Sequence, residues 1–319
     1  MEFTNQTIWE TALRQSAIDA NCHPEDFQGQ VPVIVFSRKH PAARKYLDLP
    51  LACDLISYGS NVVASIEEPY REIVSEYINR FPAERCFETP QMHILDGALR
   101  EYGLRLCFMA EYFLPDLRYV HVQEIRYETR LLHPEDFGTL YTDQWSNALC
   151  EKRKELDILG VGAYADGTLI GLAACSADCD SMWQIGVDVL PGFRRQGIAS
   201  ALTSRLALEV LERGKVPFYC AAWSNVRSVR NAIASGFRPA WVELTAKTEA
   251  FVREMNGGMG ESIFEANHRK CRIYVGAHSV RPHDNLHLPV ETGAHCAPLH
   301  WFFVNAGAYR PRLISAGKT

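Results

Sequence analysis

Long hydrophobic runs are missing from this sequence. Its longest apolar stretches, such as residues 169–175, fall far short of the roughly 18 residues that a membrane-spanning helix needs. The first six residues carry neither the basic charge nor the apolar run of a secretory signal peptide. Both absences favour a cytoplasmic protein that has no membrane partner.

Basic charge is not in excess either. Lysine and arginine together number 33, and aspartate and glutamate number 38, which gives a formal net charge of -5 with neutral histidine. A chain that binds nucleic acid over its whole surface carries a basic excess, because it must neutralise phosphate groups. We therefore expect no nucleic-acid partner.

Paired metal-ligand motifs are absent as well. Cys175 and Cys179 have no second pair nearby, and the ten cysteines are otherwise scattered, which is typical of buried free thiols. Six of the eleven histidines lie beyond residue 247, where only His283 and His287 have the spacing of two ligands on one helix. The six are His268, His278, His283, His287, His295 and His300, accompanied by Cys271 and Cys296. We expect surface histidines and no metal site.

What the sequence does contain is the pattern of a globular α/β protein. The chain has 319 residues, 47% of them hydrophobic, which suffices for one large domain or two ordinary ones. Helical and strand-like periodicities alternate, so we predict helices packed on a mixed sheet. The predicted helices are residues 8–18, 68–79, 92–101, 196–213 and 226–235. The predicted strands are residues 31–36, 54–58, 61–65, 85–88, 104–113, 127–132, 159–164, 169–175, 182–189, 216–222 and 237–245.

The order of these elements divides the chain into two halves and a tail, residues 1–124, 125–247 and 248–319. In each half the last helix stops at a glycine, Gly103 or Gly236, and a strand begins at once. This parallel raises the hypothesis of a tandem duplication, in which the first half is a smaller, degenerate copy of the second. The tail is compatible with docking on the core, with a homodimer contact and with partial disorder.

The segment 187–199 carries the strongest chemical signal. A strand leads into a turn with Arg194, Arg195 and Gly197, and a long helix opens there. The first amides of a helix lack backbone partners and lie at the positive end of its dipole, so they bind phosphate groups. Glycine lets a ligand approach the backbone, and arginines add charge-assisted hydrogen bonds. The residues alone leave two interpretations, an anion site and an ordinary connection with solvated arginines.

Two motifs of the second half resemble those of the GNAT N-acetyltransferase superfamily. The first is Arg-x-x-Gly-x-Ala at residues 194–199, preceded by Val-x-Pro, and it resembles the acetyl-CoA signature whose loop amides hold the pyrophosphate. The second is Asn-x-x-Ser at residues 225–228, on a helix that ends in Gly-Phe. The resemblance covers about residues 125–247 and implies the GNAT fold, with acetyl-CoA as co-substrate.

The resemblance also implies where the reactants bind. The acetyl thioester binds where two parallel strands splay apart, here residues 182–189 and 216–222, and a backbone N–H near Val189 polarises its carbonyl group. The implied cofactor-binding residues are Val187, Val189, Arg194, Arg195, Gln196, Gly197, Ile198, Ala199, Ser200, Asn225 and Ser228. Trp145 and Asn147 lie where the family lines its acceptor pocket, although Trp145 also fits a core position.

The acid that the family commonly uses is absent. A tyrosine usually stands seven residues after the motif asparagine, and this position is Ala232. Tyr219, on the preceding strand, is the candidate replacement. Asp188 is the first candidate for the base, followed by Asp180 and Glu243. Asp188 also fits a solvent-facing strand position, and Asp180 also fits a turn.

The first half is expected to bind no cofactor and to shape the acceptor cleft. Glu67 and Glu68 stand where an anion would bind, which is electrostatically unfavourable for pyrophosphate. For the whole chain the resemblance implies an acyl-CoA-dependent N-acyltransferase that moves acetyl to a primary amine by direct attack. A small-molecule acceptor is favoured because no protein-docking module is evident. Protein amines as acceptors, and a CoA-binding sensor without catalysis, are the alternatives.

Overall fold

Helices form where apolar residues recur every three to four positions, and strands form where apolar and polar residues alternate or a short apolar run occurs. The computed structural model describes residues 3–256. The α-helices in this range are α1 (Asn5–Ala20), α2 (Arg71–Arg80), α3 (Thr89–Arg100), α4 (Ile198–Glu212), α5 (Val226–Ala234) and α6 (Glu249–Met255). The strands are β1 (Val33–Phe36), β2 (Cys53–Ser57), β3 (Val63–Ile66), β4 (Leu104–Pro115), β5 (Glu128–Leu132), β6 (Asp157–Ala165), β7 (Thr168–Ser176), β8 (Met182–Val189), β9 (Val216–Ala222) and β10 (Phe237–Thr248).

These strands form one mixed sheet with helices packed on it, which confirms the predicted fold class. The strand order is β1-β3-β2-β10-β4-β9-β8-β7-β6-β5. Strands β5 to β8 are antiparallel neighbours in sequence order, whereas β8 and β9 are parallel. Helix α4 connects β8 to β9, as a parallel pair requires a crossover connection.

The last strand of each half lies among strands of the other half. β4 lies between β9 and β10, and β10 lies between β4 and β2. The two strands pair antiparallel along nearly their whole length, from Leu104 opposite Thr248 to Pro115 opposite Phe237. The predicted boundary at residue 124 falls in the connection from β4 to β5, and the strands on its two sides share the sheet.

Four helices cover one face of the sheet, which we call the helix face. Helices α2 and α3 pack there on strands of the first half, and α4 and α5 pack on strands of the second half. Helix α1 covers the opposite face. Side chains of β9 alternate between the two faces: Tyr219 and Ala221 belong to the helix face, and Phe218 and Cys220 to the opposite face.

The glycines that follow the last helix of each half have the same role in the structure. Gly103 and Gly236 have φ angles of 72° and 93°, a left-handed conformation that glycine adopts without a steric penalty. Each is followed at once by a strand that lies among strands of the other half, β4 at Leu104 and β10 at Phe237. We call these two strands the exchanged strands. The parallel seen in the sequence is therefore also a structural parallel.

One predicted strand is wrong, because residues 83–87 form a 3-10 helix, Ala83–Phe87. The backbone coils here so that Cys86 is buried and its carbonyl oxygen accepts a 2.9 Å hydrogen bond from the Tyr77 hydroxyl. The helix predicted over 68–79 is present as a 3-10 turn, Glu68–Tyr70, followed by α2.

Between residues 3 and 256, no helix has both the length and the apolar character to cross a membrane. In the same range, no group of histidine, cysteine, aspartate and glutamate side chains is arranged to hold a metal ion, and the side chains of Cys175 and Cys179 are buried. The six tail histidines, with Cys271 and Cys296, lie outside the described residues.

Candidate functional site

The parallel strands β8 and β9 separate along their length. They pair only from Met182 opposite Val216 to Gln184 opposite Phe218. Beyond these pairs, β8 stays bonded to β7 as far as Val189, and β9 stays bonded to β4 as far as Ala222. A gap therefore opens between the carboxyl-terminal halves of the two strands, and we call this gap the splay.

The loop from β8 to α4 forms a left-handed turn directly beyond the splay. Arg195 and Gly197 have φ angles of 64° and 79°, and Gly197 precedes α4 without a side-chain cap. A Cβ atom at Gly197 would meet no atom within 4 Å, so the space in front of the helix is open. The first N–H groups of α4 face this space without intrahelical partners, which makes it suited to an anion.

Three arginines surround this helix terminus. Arg194 Nε donates a 2.9 Å hydrogen bond to the carbonyl oxygen of Val189, which ties the loop to the end of β8. Arg195 is exposed. Arg126 donates to Gln196 Oε1 at 2.7 Å, and the hydroxyl of Tyr127 donates to the same oxygen at 2.9 Å. Arg126 was missed by the sequence analysis because it precedes β5, about 70 residues before the loop.

The remaining loop residues contribute mainly backbone. The side chain of Ile198 is buried in the core, so only its N–H group is available to a ligand. Ser200 donates a 3.0 Å hydrogen bond from its hydroxyl to the carbonyl oxygen of Gly197. Val187 and Val189 lie on the splayed part of β8 and pack towards the helix face. The predicted cofactor-binding residues of this segment are thus contiguous along one edge of the splay.

The second motif begins the helix that follows β9. Asn225 is the residue before α5, and its side-chain oxygen accepts a 3.2 Å hydrogen bond from the N–H group of Ser228. The hydroxyl groups of Ser228 and Tyr219 are 2.8 Å apart. Tyr219 is the first residue of β9 beyond its pairing with β8, and burial raises the pKa of its hydroxyl, which stays protonated. Ala232 is fully buried and supplies no polar group.

Asp188 holds the segment that covers the splayed half of β8 on the face opposite the helices. Its carboxylate accepts hydrogen bonds from the backbone N–H groups of Asn147 and Ala148, at 2.8 and 3.0 Å, and from the Asn147 side-chain amide at 2.7 Å. A Cβ at Gly186 would lie 1.9 Å from the Asn147 carbonyl oxygen, so the two backbones are in direct contact. Burial raises the pKa of Asp188, although these hydrogen bonds oppose the shift. Both carboxylate oxygens are engaged, which makes Asp188 a positioning residue in this structure.

Three other predicted residues have surroundings that favour other roles, and their part in the site stays a prediction. Asp180 is exposed and precedes β8, so it lies at the end where β8 and β9 are still paired. Glu243 is buried on β10, where it accepts a 2.8 Å hydrogen bond from the Trp241 indole and lies 3.7 Å from Arg44. Trp145 is 4% exposed and packs in a hydrophobic cluster, as a core residue does.

The region that contains the splay matches the model of a known protein family. Residues 110–240 match the family model of the GNAT acetyltransferases. This segment begins inside β4 and ends inside β10, so it includes both exchanged strands in part. No curated protein matches the chain.

Solved structures with detectable similarity are distant. A putative GNAT-family acetyltransferase from Novosphingobium aromaticivorans is 19% identical, with a TM-score of 0.35, over 45% of this chain and 66% of its own length. A GCN5-related N-acetyltransferase-like protein from Streptococcus suis is 17% identical, with a TM-score of 0.40, over 61% of this chain and 82% of its own. A putative acetyltransferase from Salmonella typhimurium, solved with its cofactor acetyl-CoA, is 16% identical, with a TM-score of 0.30, over 39% of this chain and 95% of its own.

Proposed function

Because residues 110–240 match the family model of the GNAT acetyltransferases, we propose that this chain is an acyl-CoA-dependent N-acyltransferase. It transfers acetyl from acetyl-CoA to the primary amine of a small molecule by direct attack on the thioester. The single observation that carries the proposal is the splay of β8 and β9, with the open, arginine-flanked terminus of α4 at its end.

The chain's own residues fit the co-substrate. The N–H groups of the first turn of α4, together with Arg194 and Arg195, bind the pyrophosphate. Gly197 leaves the space that a phosphate needs, since no atom lies within 4 Å of the place of a Cβ. The splayed part of β8 has backbone groups that no longer pair with β9, so they are available to the pantetheine arm and to the thioester carbonyl.

The transfer requires an acid and a base as well as this cradle. A backbone N–H near Val189 stabilises the negative charge that develops on the carbonyl oxygen. The Tyr219 hydroxyl is protonated and lies beside the splay, so it protonates the leaving thiolate in place of the family tyrosine that Ala232 replaces. Asp188 keeps the covering segment in place through its three hydrogen bonds.

The test is acetyl-CoA binding, measured by calorimetry on the wild type and on Gly197→Asp. The aspartate puts a side chain and a negative charge where the pyrophosphate binds, so we expect binding with a micromolar Kd to be lost. Gly214→Asp is the matched control, because Gly214 ends the same helix with φ of 72° and equally open surroundings. No binding to the wild type, or equal binding to Gly197→Asp, would refute the proposal.

A sensor that binds CoA without catalysis is the second candidate. It is favoured by two observations, the buried Ala232 at the family's tyrosine position and the full engagement of Asp188 in hydrogen bonds. Thiol release from acetyl-CoA, measured with a panel of primary amines, separates the two candidates. Amine-dependent release supports the transferase, and binding without any release supports the sensor.

A further inference from the structure

A cavity of about 340 Å3 opens on the sheet, and one of the residues that line it, Glu111, is on β4, the neighbour of β9. It lies where β2 ends beside β10 and β4, and we call it the seam cavity. Phe87, Pro239 and Val242 are among the residues that line it, and Glu84 and Glu111 supply its acidic groups. Its volume is that of a small-molecule site, and none of the described residues that line it is basic.

Glu111 is the half-buried carboxylate of this cavity. On β4 it alternates with Ala110 and Tyr112, which belong to the opposite face, so its side chain lies on the helix face. Its neighbours on that face are Met109, which packs with α2 and α3, and Phe113, which packs with α4 and α5. Glu111 therefore lies at the seam between the two helix layers.

The carboxylate of Glu111 has no partner among the described residues. The hydrogen bonds and ion pairs found between residues 3 and 256 include many carboxylates, such as those of Asp96 and Asp116, but not this one. Burial raises the pKa of Glu111, and no opposite charge counteracts this effect. A half-buried anion without a protein partner has lost part of its hydration, and a bound cation or a proton compensates for this loss.

Glu111 is also close to the place of reaction. It lies opposite Ala221 in the antiparallel pair of β4 and β9, and opposed residues of such a pair have Cα atoms about 5 Å apart. Ala221 is part of the splayed end of β9 and is too small to screen the gap from its neighbour. Tyr219, the proposed acid, is two residues away on the same face of β9. An acid and a carboxylate thus share one face at one edge of the splay.

We propose that the seam cavity binds the acceptor, a primary ammonium on a compact apolar body, with Glu111 as the residue that binds the ammonium and accepts its proton. The inference rests on the proposed function. Phe87, Pro239 and Val242 contact the apolar body, and Glu84, at the exposed part of the cavity, adds negative charge that attracts a cation.

The proton balance follows from these positions. The ammonium transfers one proton to Glu111, and its nitrogen then forms a bond to the thioester carbonyl carbon. The carbon–sulfur bond breaks, and the thiolate takes a proton from the Tyr219 hydroxyl, which recovers one from the nitrogen as the amide forms. The net products are the amide, the free thiol of CoA and one proton, which Glu111 releases to solvent.

The test compares Glu111→Gln with the wild type, using 2-phenylethylamine as the probe. We expect the variant to lose about ten- to a hundredfold in probe affinity and in kcat/KM for thiol release, because a charge-assisted contact and the proton acceptor are both removed. Its Kd for acetyl-CoA stays within about twofold of the wild type. Glu76→Gln, which changes an exposed glutamate of α2, is the matched control and should leave all three quantities unchanged.

Binding of the amine in the absence of acetyl-CoA tests the acceptor site independently of the transferase function. Binding of 2-phenylethylamine and of its neutral analogue 2-phenylethanol is measured by calorimetry without acetyl-CoA. Binding of the amine alone, abolished in Glu111→Gln, supports the inference even if no thiol is released, and in that case only the transferase function fails. A Glu111→Gln variant with wild-type affinity and kcat/KM, or a wild type that binds neither compound, overturns it.

Discussion

Asp188 is a residue whose position limits its chemistry. Because its carboxylate accepts three hydrogen bonds from the segment of Asn147 and Ala148, its removal leaves two backbone N–H groups and one amide without partners. We expect Asp188→Ala to lower the free energy of unfolding by roughly 2 kcal/mol or more, and Asn147→Ala by about 1 kcal/mol. Urea denaturation measures both. Unchanged stability of Asp188→Ala with a lost kcat would instead assign Asp188 as the base.

The buried Asp54 makes the free energy of unfolding depend on pH. Burial, together with the nearby Glu243, raises the pKa of Asp54 to about 8, although the Thr245 hydroxyl donates to it at 2.8 Å. The folded protein then keeps a proton that the unfolded chain loses near its ordinary pKa of 3.8. The free energy of unfolding therefore falls as pH rises from about 4 to about 8, by at most roughly 1.4 kcal/mol per pH unit from this group.

Asp54→Asn should reduce this slope, because asparagine keeps the acceptor for Thr245 and does not titrate. The measurement is urea denaturation of both proteins at pH 5 and pH 8, and the variant should gain most at pH 8. Asp48→Asn, at an exposed position, is the control and should keep the wild-type slope. An equal slope in Asp54→Asn would show that Asp54 is ionised in the folded protein across this range.

Single residues were predictable from sequence where the chemistry is local. The arginines and Gly197 of the loop follow one another within four positions, so a motif reveals them. Arg126 meets Gln196 from a distance of 70 residues, and Glu111 meets the splay only because β4 pairs with β9. No local pattern marks either residue, since each depends on which strand becomes the neighbour of which.

Among the elements, the two helix-ending glycines are equal in conformation but not in surroundings. A Cβ at Gly103 would meet nothing within 4 Å, whereas one at Gly236 would lie 2.5 Å from backbone atoms of Val120. We expect Gly103→Ala to cost about 1 kcal/mol of unfolding free energy, from the left-handed backbone alone. Gly236→Ala should cost several-fold more, because the backbone of Val120 must also shift. Chemical denaturation of the two variants gives the comparison, and similar losses would contradict it.

The sequence predicted elements well where periodicity and length agree. The long strands β4, β8 and β9 and the helix α4 appear within a few residues of their predicted bounds. The strand wrongly predicted at residues 85–88 has four residues, which are too few for their periodicity to separate a strand from the 3-10 helix Ala83–Phe87. The Tyr77 hydroxyl and the buried Cys86 determine this turn through tertiary contacts.

At the scale of the whole molecule, the exchanged strands make each half dependent on the other. A fragment of residues 125–256 lacks β4, the strand that lies between β9 and β10 in the sheet. A fragment of residues 3–124 lacks β10, the strand that lies between β4 and β2. We expect each fragment alone to show no cooperative thermal unfolding. A mixture of the two should recover a cooperative transition and acetyl-CoA binding. Cooperative unfolding of residues 125–256 alone would show that the second half is an independent domain.

No local sequence pattern indicates that the two halves depend on each other. The helix–glycine–strand parallel at the two ends indicated related halves, and the parallel is present in the structure. The pattern of one strand, however, does not specify its neighbours. Pairing of β4 with β10 joins Leu104 to Thr248, which are more than a hundred residues apart, and this partnership is decided by packing of the complete sheet.

The exchanged strands also fix when the protein can fold during its synthesis. β4 leaves the ribosome long before its partners β9 and β10, because about 130 residues separate its end from the end of β10. At roughly 5–20 residues per second, the nascent chain carries both edges of β4 unpaired for on the order of ten seconds. During that interval the apolar side chains of β4 are a binding site for chaperones and for other nascent chains, so production of this protein depends on the rate of translation and on chaperone supply.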